Sequence, residues 1–391
     1  MQLAFDANVE AFRSEFIDFL NEHLPPEAEA TERSRSTSHI PEWSRRWQRL
    51  QFDHGWLLPG NPPEFGGRNA TLLQQFVHRE ELSRRRIYQS LNPQGVGIIA
   101  ASVLTFGSEE QKQQWAVPIL RGDMTASLGM SEPEAGSDLA GLRTTAVRDG
   151  ADFVVNGQKV WTSGAHDSDV LLTFVRTDPE AAKHKGISVL LIPTDTPGVE
   201  CRPFAYVYDR EHLDFNEVFF TDVRVPAQNL IGALGDGWHV ASGSLGHERN
   251  LLWMSFADRL RYLVQDFDPV TTLDRDHYAT LVMNAEALRL LGSAALARAS
   301  RGQEDVAALS VLKVLGSEAV QTAAEHALAA AGADGLVDPA ATTSYTPHGL
   351  DQATGSWFAR YASSFAGTIS GGTSEIQRNI IAQRILRLPR A

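Results

Sequence analysis

The stretch that decides the fold runs from Leu128 to Ser163, LGMSEPEAGSDLAGLRTTAVRDGADFVVNGQKVWTS. It sets two glycine-bearing turns against strand-like segments and ends on a Trp-Thr-Ser step. Gly136 and the turn at Pro133 let backbone approach a flat ligand closely, while Ser131, Ser137, Thr162 and Ser163 offer hydroxyls and N–H groups to its polar edges. Trp161 adds an aromatic face. A large conjugated cofactor with carbonyl and ring-nitrogen acceptors suits such a surface.

Outward from this stretch the pattern changes period. Residues 1–122 show helical spacing, beginning with Phe5, Val9, Phe12, Phe16 and Phe19 and broken at Pro25-Pro26, at Pro59 to Pro63 and at Asn92-Pro93. Residues 123–233 carry short β-rich segments, Asp152 to Val155, Val170 to Val175 and Gly186 to Ile192, between Gly, Asp and Pro turns. After Gly235-Asp236-Gly237 the chain returns to long Ala- and Leu-rich helical patterns, clearest at Ala285 to Ser300 and Asp305 to Ala331, with a loop expected over Gly332 to Gly355. This predicts an α+β chain of a helical domain (1–122), a β domain (123–233) and a second helical domain (234–391).

The chain has 391 residues, enough for more than one core. Its 35 Lys and Arg against 48 Asp and Glu give a net charge of -13, which disfavours nucleic acid or an anionic membrane as a general partner; an anionic substrate must meet local cations. Cys201 is the sole cysteine, which excludes an intrachain disulfide and a cysteine-based zinc site and suits a reducing cytoplasm. Asp6, Glu10, Glu15 and Asp18 interrupt the first apolar face, unlike a presequence, and apolar runs such as Ile187 to Pro193 are too short to span a bilayer. No metal site is expected.

MSEPEAGSD from Met130, NGQKVWTSGA from Asn156 and ISGGTSEIQR from Ile369 occur in order, and together they resemble the flavin-binding signatures of the acyl-CoA dehydrogenase family. The resemblance covers nearly the whole chain. It implies a middle β-barrel or sandwich between helical domains, the last a four-helix bundle. It also implies FAD and α,β-dehydrogenation of an acyl-CoA thioester in lipid β-oxidation, with electrons passed to an electron-transfer flavoprotein. Leu128, Met130, Ser131, Trp161, Thr162 and Ser163 then line the flavin ring. Ser137 lies near the CoA moiety, and Gly332, Thr373, Ser374 and Glu375 belong to segments holding the diphosphate and adenine half.

Such chemistry removes a Cα proton as hydride leaves Cβ, so a positioned base is required. Many members carry a glutamate just before the Gly-Thr pair of the C-terminal signature. Here that position is Gly371, followed by Gly372, and Glu375 is four residues too late. Members similar to isovaleryl-CoA dehydrogenase place the base on the first long helix after the β domain. The matching segment is Leu245-Gly246-His247-Glu248-Arg249, which makes Glu248 the expected base, Arg249 a contact to the CoA-bearing end, and Leu245, Gly371 and Gly372 substrate-side residues. In a helix, Leu245 and Leu252 flank Glu248 at i-3 and i+4, an apolar setting that raises a carboxyl pKa.

The family's Arg, Phe-Gly and Gln motif for gripping FAD across a subunit interface is missing; 297–316 reads ARASRGQEDVAALSVLKVLG. Arg298, Arg301 or another group substitutes, or a different subunit supplies the contact. Homotetramer, dimer of dimers and assembly with a paralogous subunit all stay open, as do a non-catalytic half-site subunit and a flavin oxidase or monooxygenase on the same scaffold.

Overall fold

The computed structural model describes residues 5–26, 29, 32, 34–85, 87, 89–210, 213–247, 249–303, 306–337 and 355–389. The helical, β, helical succession is present. Helices α1 (Ala7–His23), α2 (Glu42–Asp53), α3 (Leu72–Arg84), α4 (Ala101–Phe106), α5 (Glu109–Gln111) and α6 (Val117–Arg121) precede eight strands. These are β1 (Ala126–Gly129), β2 (Thr145–Asp149), β3 (Asp152–Lys159), β4 (Val170–Arg176), β5 (Ile187–Pro193), β6 (Val199–Ala205), β7 (Leu213–Pro226) and β8 (Leu230–Ile231). Then follow α7 (Gly237–His247), α8 (Arg249–Asp266), α9 (Thr272–Ala299), α10 (Val306–Ala331), α11 (Trp357–Ile369) and α12 (Ser374–Arg384).

The chain divides into two compact units, residues 1–18, 71–88 and 248–391 in one, and 19–70 and 89–247 in the other. In the second unit one sheet runs β6-β7-β3-β2-β4-β5-β8, with β1 parallel to β4. β4 and β5 are apolar along their length because both their faces are covered. Leu172 and Phe174 face the helical residues Ile99, Val103 and Leu120, while their neighbours Leu171 and Val175 face Phe153, Val155, Val218 and Phe220. The period-2 alternation of a strand thus joins two apolar layers through one sheet.

In the first unit α8, α9, α10 and α11 gather around a core of Trp253, Phe256, Leu260, Leu288 and Leu312 with Trp357 against it. Gly292 and Gly316 make the close approach possible: a Cβ at Gly292 would fall 2.3 Å from the Trp253 ring, and one at Gly316 2.7 Å from Phe256. Part of the loop expected over Gly332 to Gly355 is a 3-10 turn at Gly332–Leu336, and 338–354 lie outside the described residues. Among the described residues no helix is long and apolar enough to cross a membrane, and no group of three or more His, Cys, Asp or Glu could hold a metal.

Cys201 sits half-buried on β6, and burial, with Glu200 beside it, pushes its thiol up to about 11 from 9.0. A rise of that size removes roughly 99% of the thiolate at pH 8. The native chain should therefore react with a chromogenic disulfide about 100-fold more slowly than the same chain in denaturant, read as release of the coloured thiol.

Candidate active site

The two halves of the 128–163 stretch close onto each other in the second unit. Glu132 and Ala135 exchange backbone hydrogen bonds of 3.0 and 3.1 Å, which pinches the Pro133-Glu134 turn. The Val160 N–H donates to the Ser131 carbonyl at 3.0 Å, so the Met130–Ser131 step is held against the end of β3.

Beneath that junction lies an ion pair. Lys159 Nζ donates to Glu132 Oε1 at 2.8 Å and to the Met130 carbonyl at 3.2 Å, while the other donors to Glu132 are the N–H groups of Arg143 and Thr144 at 2.6 and 2.9 Å. Side-chain exposure is 0% for Lys159 and 7% for Glu132. Burial pulls the Lys159 ammonium down to about 8 although Glu132 opposes it. Burial also works to raise the Glu132 carboxyl, but Lys159 and the two N–H donors outweigh it and hold the carboxyl below its ordinary range. Neither residue was singled out from sequence. The signal was present, because Phe153, Val155 and Lys159 share one strand parity and the first two are core.

Beyond Lys159 the chain turns sharply. Trp161 takes a left-handed backbone (φ 60°), uncommon for a bulky residue. Asn216 on β7 holds this conformation: its carbonyl accepts from Thr162 N–H at 3.2 Å and its Nδ2 donates to the Thr162 carbonyl at 3.0 Å. The Ser163 carbonyl accepts from Ser127 Oγ on β1 at 2.7 Å. As a result the indole is 58% exposed, propped edge-on by Phe204 and Phe215 with ring centroids 5.3 and 5.4 Å away. This is no core tryptophan. Leu128, Met130, Ser131 and Ser163 are half-buried, Ser137 is exposed, and a Cβ at Gly136 would meet nothing within 4 Å.

The Thr162 hydroxyl is fully buried and has no hydrogen-bond partner, the one buried side-chain polar atom of the Trp161–Ser163 step that lacks one. An orphan of this kind costs stability. Together with the open indole face and the half-buried Met130–Ser131 backbone, it fits a planar ring whose polar edge reaches the Trp-Thr-Ser step.

The remaining candidates belong to the other unit. Gly371 (φ 66°) and Gly372 (φ 88°) form a left-handed turn that only glycine adopts readily, and a Cβ at Gly371 would have nothing within 4 Å. Gln377 Nε2 donates to the Gly371 carbonyl at 3.0 Å, and Thr373 caps α12 by accepting from Ile376 N–H at 3.3 Å. Ser374 is buried; Glu375 is exposed, its carboxyl held low by its own backbone N–H and the Thr373 hydroxyl. Gly332 (φ 56°) ends α10 as a left-handed cap. Glu248 lies outside the described residues. Leu245 falls in α7 and Arg249 opens α8, their side chains and that of Leu252 outside the described set.

The fold and this junction match a known family along most of the chain. Acyl-CoA dehydrogenase domain models match at residues 6–123 (N-terminal domain), 127–223 (middle domain) and 271–386 (C-terminal domain). The chain belongs to the acyl-CoA dehydrogenase family, oxidoreductases that act on CH–CH groups. It is similar to acyl-CoA dehydrogenase FadE29 of Mycobacterium tuberculosis, 35% identical over 95% of this chain and 94% of the relative. It is also similar to acyl-CoA dehydrogenase IpdE1 of the same organism, 34% identical over 98% of each. Among solved structures, the ChsE4-ChsE5 complex from Mycobacterium tuberculosis superimposes over 100% of both chains with a TM-score of 0.78 at 29% identity. A chain of the Tcur3481-Tcur3483 steroid acyl-CoA dehydrogenase does so over 100% of both with a TM-score of 0.79 at 28%. Glu248 lies between the middle and C-terminal matches, in residues 224–270.

Proposed function

We propose that the chain is an FAD-dependent acyl-CoA dehydrogenase that converts an acyl-CoA thioester to its trans-2-enoyl form. The Ser131–Val160 junction with its orphan Thr162 hydroxyl carries the reading, because it presents one open aromatic face and one unpaired polar group at a single step. FAD, when bound, supplies the hydride acceptor. The chain's own work is to seat the ring: Leu128, Met130, Ser131 and Ser163 at its edge, Trp161 over its face, with Gly332, Thr373, Ser374 and Glu375 toward the dinucleotide half.

Glu248 takes the Cα proton and thereby lets hydride leave Cβ, two bonds that break together only with a base in place. Arg249 and Ser137 hold the CoA-bearing end, and Leu245, Gly371 and Gly372 border the acyl group. The vacant Cβ direction at Gly371 leaves room for a bulky or branched acyl chain, in keeping with the word steroid in the name of one structural relative. Electrons pass to an electron-transfer flavoprotein in a cytoplasmic setting. The assembly is a homotetramer or, as the two-subunit names of both structural relatives suggest, a tetramer with a paralogous partner. The domain division proposed is 1–122, 123–233 and 234–391.

Thr162→Val tests the seat. Exchanging an unpaired hydroxyl for a methyl should leave the flavin-free chain as stable as before, or more so, and weaken flavin binding about tenfold, measured by fluorescence titration. Undiminished affinity would take Thr162 out of the site.

A further inference from the structure

Three helices of the first unit bring short stripes of side chains to one cavity. Arg259 and Leu263 stand one turn apart on α8, and Val320 and Ala324 one turn apart on α10. Across from them on α11 are Arg360, Ser363 and Ser364, again on one side of a helix. The cavity between the stripes measures about 300 Å³ with its open mouth included.

Its two guanidinium groups differ in what they already hold. Arg360, its side chain 11% exposed, donates to Asp266 Oδ2 at 2.8 Å and to the Gly355 carbonyl at 3.0 Å, and lies 4.5 Å from the centre of the Trp357 ring. Asp266 thus meets its charge. Arg259 is half-buried and, among the described residues, has neither a hydrogen bond nor an ion pair. Its neighbour Asp258 leaves α8 about 100° further round, where it accepts from the Ser83 hydroxyl and lies 3.6 Å from Arg261. One positive charge of the cavity is therefore uncompensated, and a bound anion removes the cost of holding it partly out of water.

The rest of the lining sets the kind of anion. Ser363 and Ser364 already donate to the Arg360 and Tyr361 carbonyls at 3.1 and 2.6 Å, so guanidinium N–H groups are the donors on offer. Leu263, Val320 and Ala324 present only carbon, which suits no ion that is polar all round. A planar carboxylate matches the guanidinium fork, and an aliphatic body matches the carbon walls.

We infer that the cavity between α8, α10 and α11 binds a small aliphatic monocarboxylate, its charge on Arg259 and its carbon chain against Leu263, Val320 and Ala324. None of these residues is among those assigned above to flavin or acyl-CoA, so the site stands or falls apart from that reading.

Butyrate is the probe, with butyramide as its neutral match and sodium sulfate and sodium chloride at equal ionic strength, each added to the purified full chain and read by calorimetric titration and thermal unfolding. Butyrate should bind saturably in the millimolar range and raise the melting temperature, while butyramide and both salts do not. Arg259→Met should bind butyrate about tenfold more weakly or worse, and without ligand should melt no lower than wild type, because no pairing is lost. Arg259→Lys keeps the charge without the planar fork and should retain part of the affinity. No binding of butyrate by wild type, or equal binding by wild type and Arg259→Met, overturns the inference. Equal binding of butyrate and butyramide by wild type overturns it whether or not either variant folds. Sulfate or chloride acting as well as butyrate overturns it too, since the carbon walls would then contribute nothing.

Discussion

Glu248→Gln should bind FAD as wild type does and lose roughly 10²- to 10⁴-fold in the rate at which acyl-CoA bleaches the flavin under anaerobic conditions, the usual contribution of a positioned general base. The amide keeps the size of the carboxylate and removes its capacity to accept a proton. Binding and chemistry therefore separate in one variant. The position is informative because the C-terminal signature offers no base at Gly371 and no side chain at Gly372. A Gln variant that bleaches at the wild-type rate would move the base elsewhere, and a half-site subunit would show no bleaching in either form until a partner is added.

A second large loss is structural and reaches the same site through its foundation. Lys159→Met leaves the Glu132 carboxylate buried with its two backbone donors and no cation, a change of the kind that costs about 3–5 kcal/mol. The Met130 carbonyl loses its Lys159 donor at the same time, so the Met130–Ser131 step is left on the Val160 N–H bond to the Ser131 carbonyl and flavin affinity should fall with stability. Replacing both partners, Glu132→Gln with Lys159→Met, should recover part of the stability, because no unpaired charge then remains. Urea unfolding of the three variants reads this directly, and additive losses would show that the two side chains do not act as a pair.

The pair also sets a pH dependence. The Lys159 ammonium titrates at about 8 in the folded chain against 10.5 for the free group, so between those values the unfolded chain binds more protons and this group makes stability rise with pH. Glu132 acts at the other end, since its depressed carboxyl contributes stability that is lost as acid protonates it. Lys159→Met should lack the alkaline rise. An identical alkaline profile in wild type and variant would assign that rise to other groups.

Much of this was legible because periodicity and signature spacing are local. β4 and β5 announce themselves as continuous apolar runs, and the Trp-Thr-Ser step stands out beside Gly157 and Gly164. What escaped was the set of residues whose meaning depends on a partner far along the chain. Lys159 reads as a surface cation until Glu132, 27 residues earlier, folds beneath it. Asn216 reads as one polar residue in a strand until its amide is seen to grip the Thr162 backbone 54 residues away. Long-range pairing of polar groups is the part of folding that a one-dimensional pattern records least.

If the chain binds FAD and oxidises an acyl-CoA at Cα and Cβ, the visible spectrum of the purified protein, kept free of oxygen, must respond as acyl-CoA thioesters of graded length and branching are added. Loss of the flavin band with at least one thioester, together with formation of the matching 2-enoyl-CoA in equal amount, is the predicted result. A chain that binds flavin stoichiometrically and keeps its full absorbance with every thioester, alone and with a co-encoded paralogue, would contradict it.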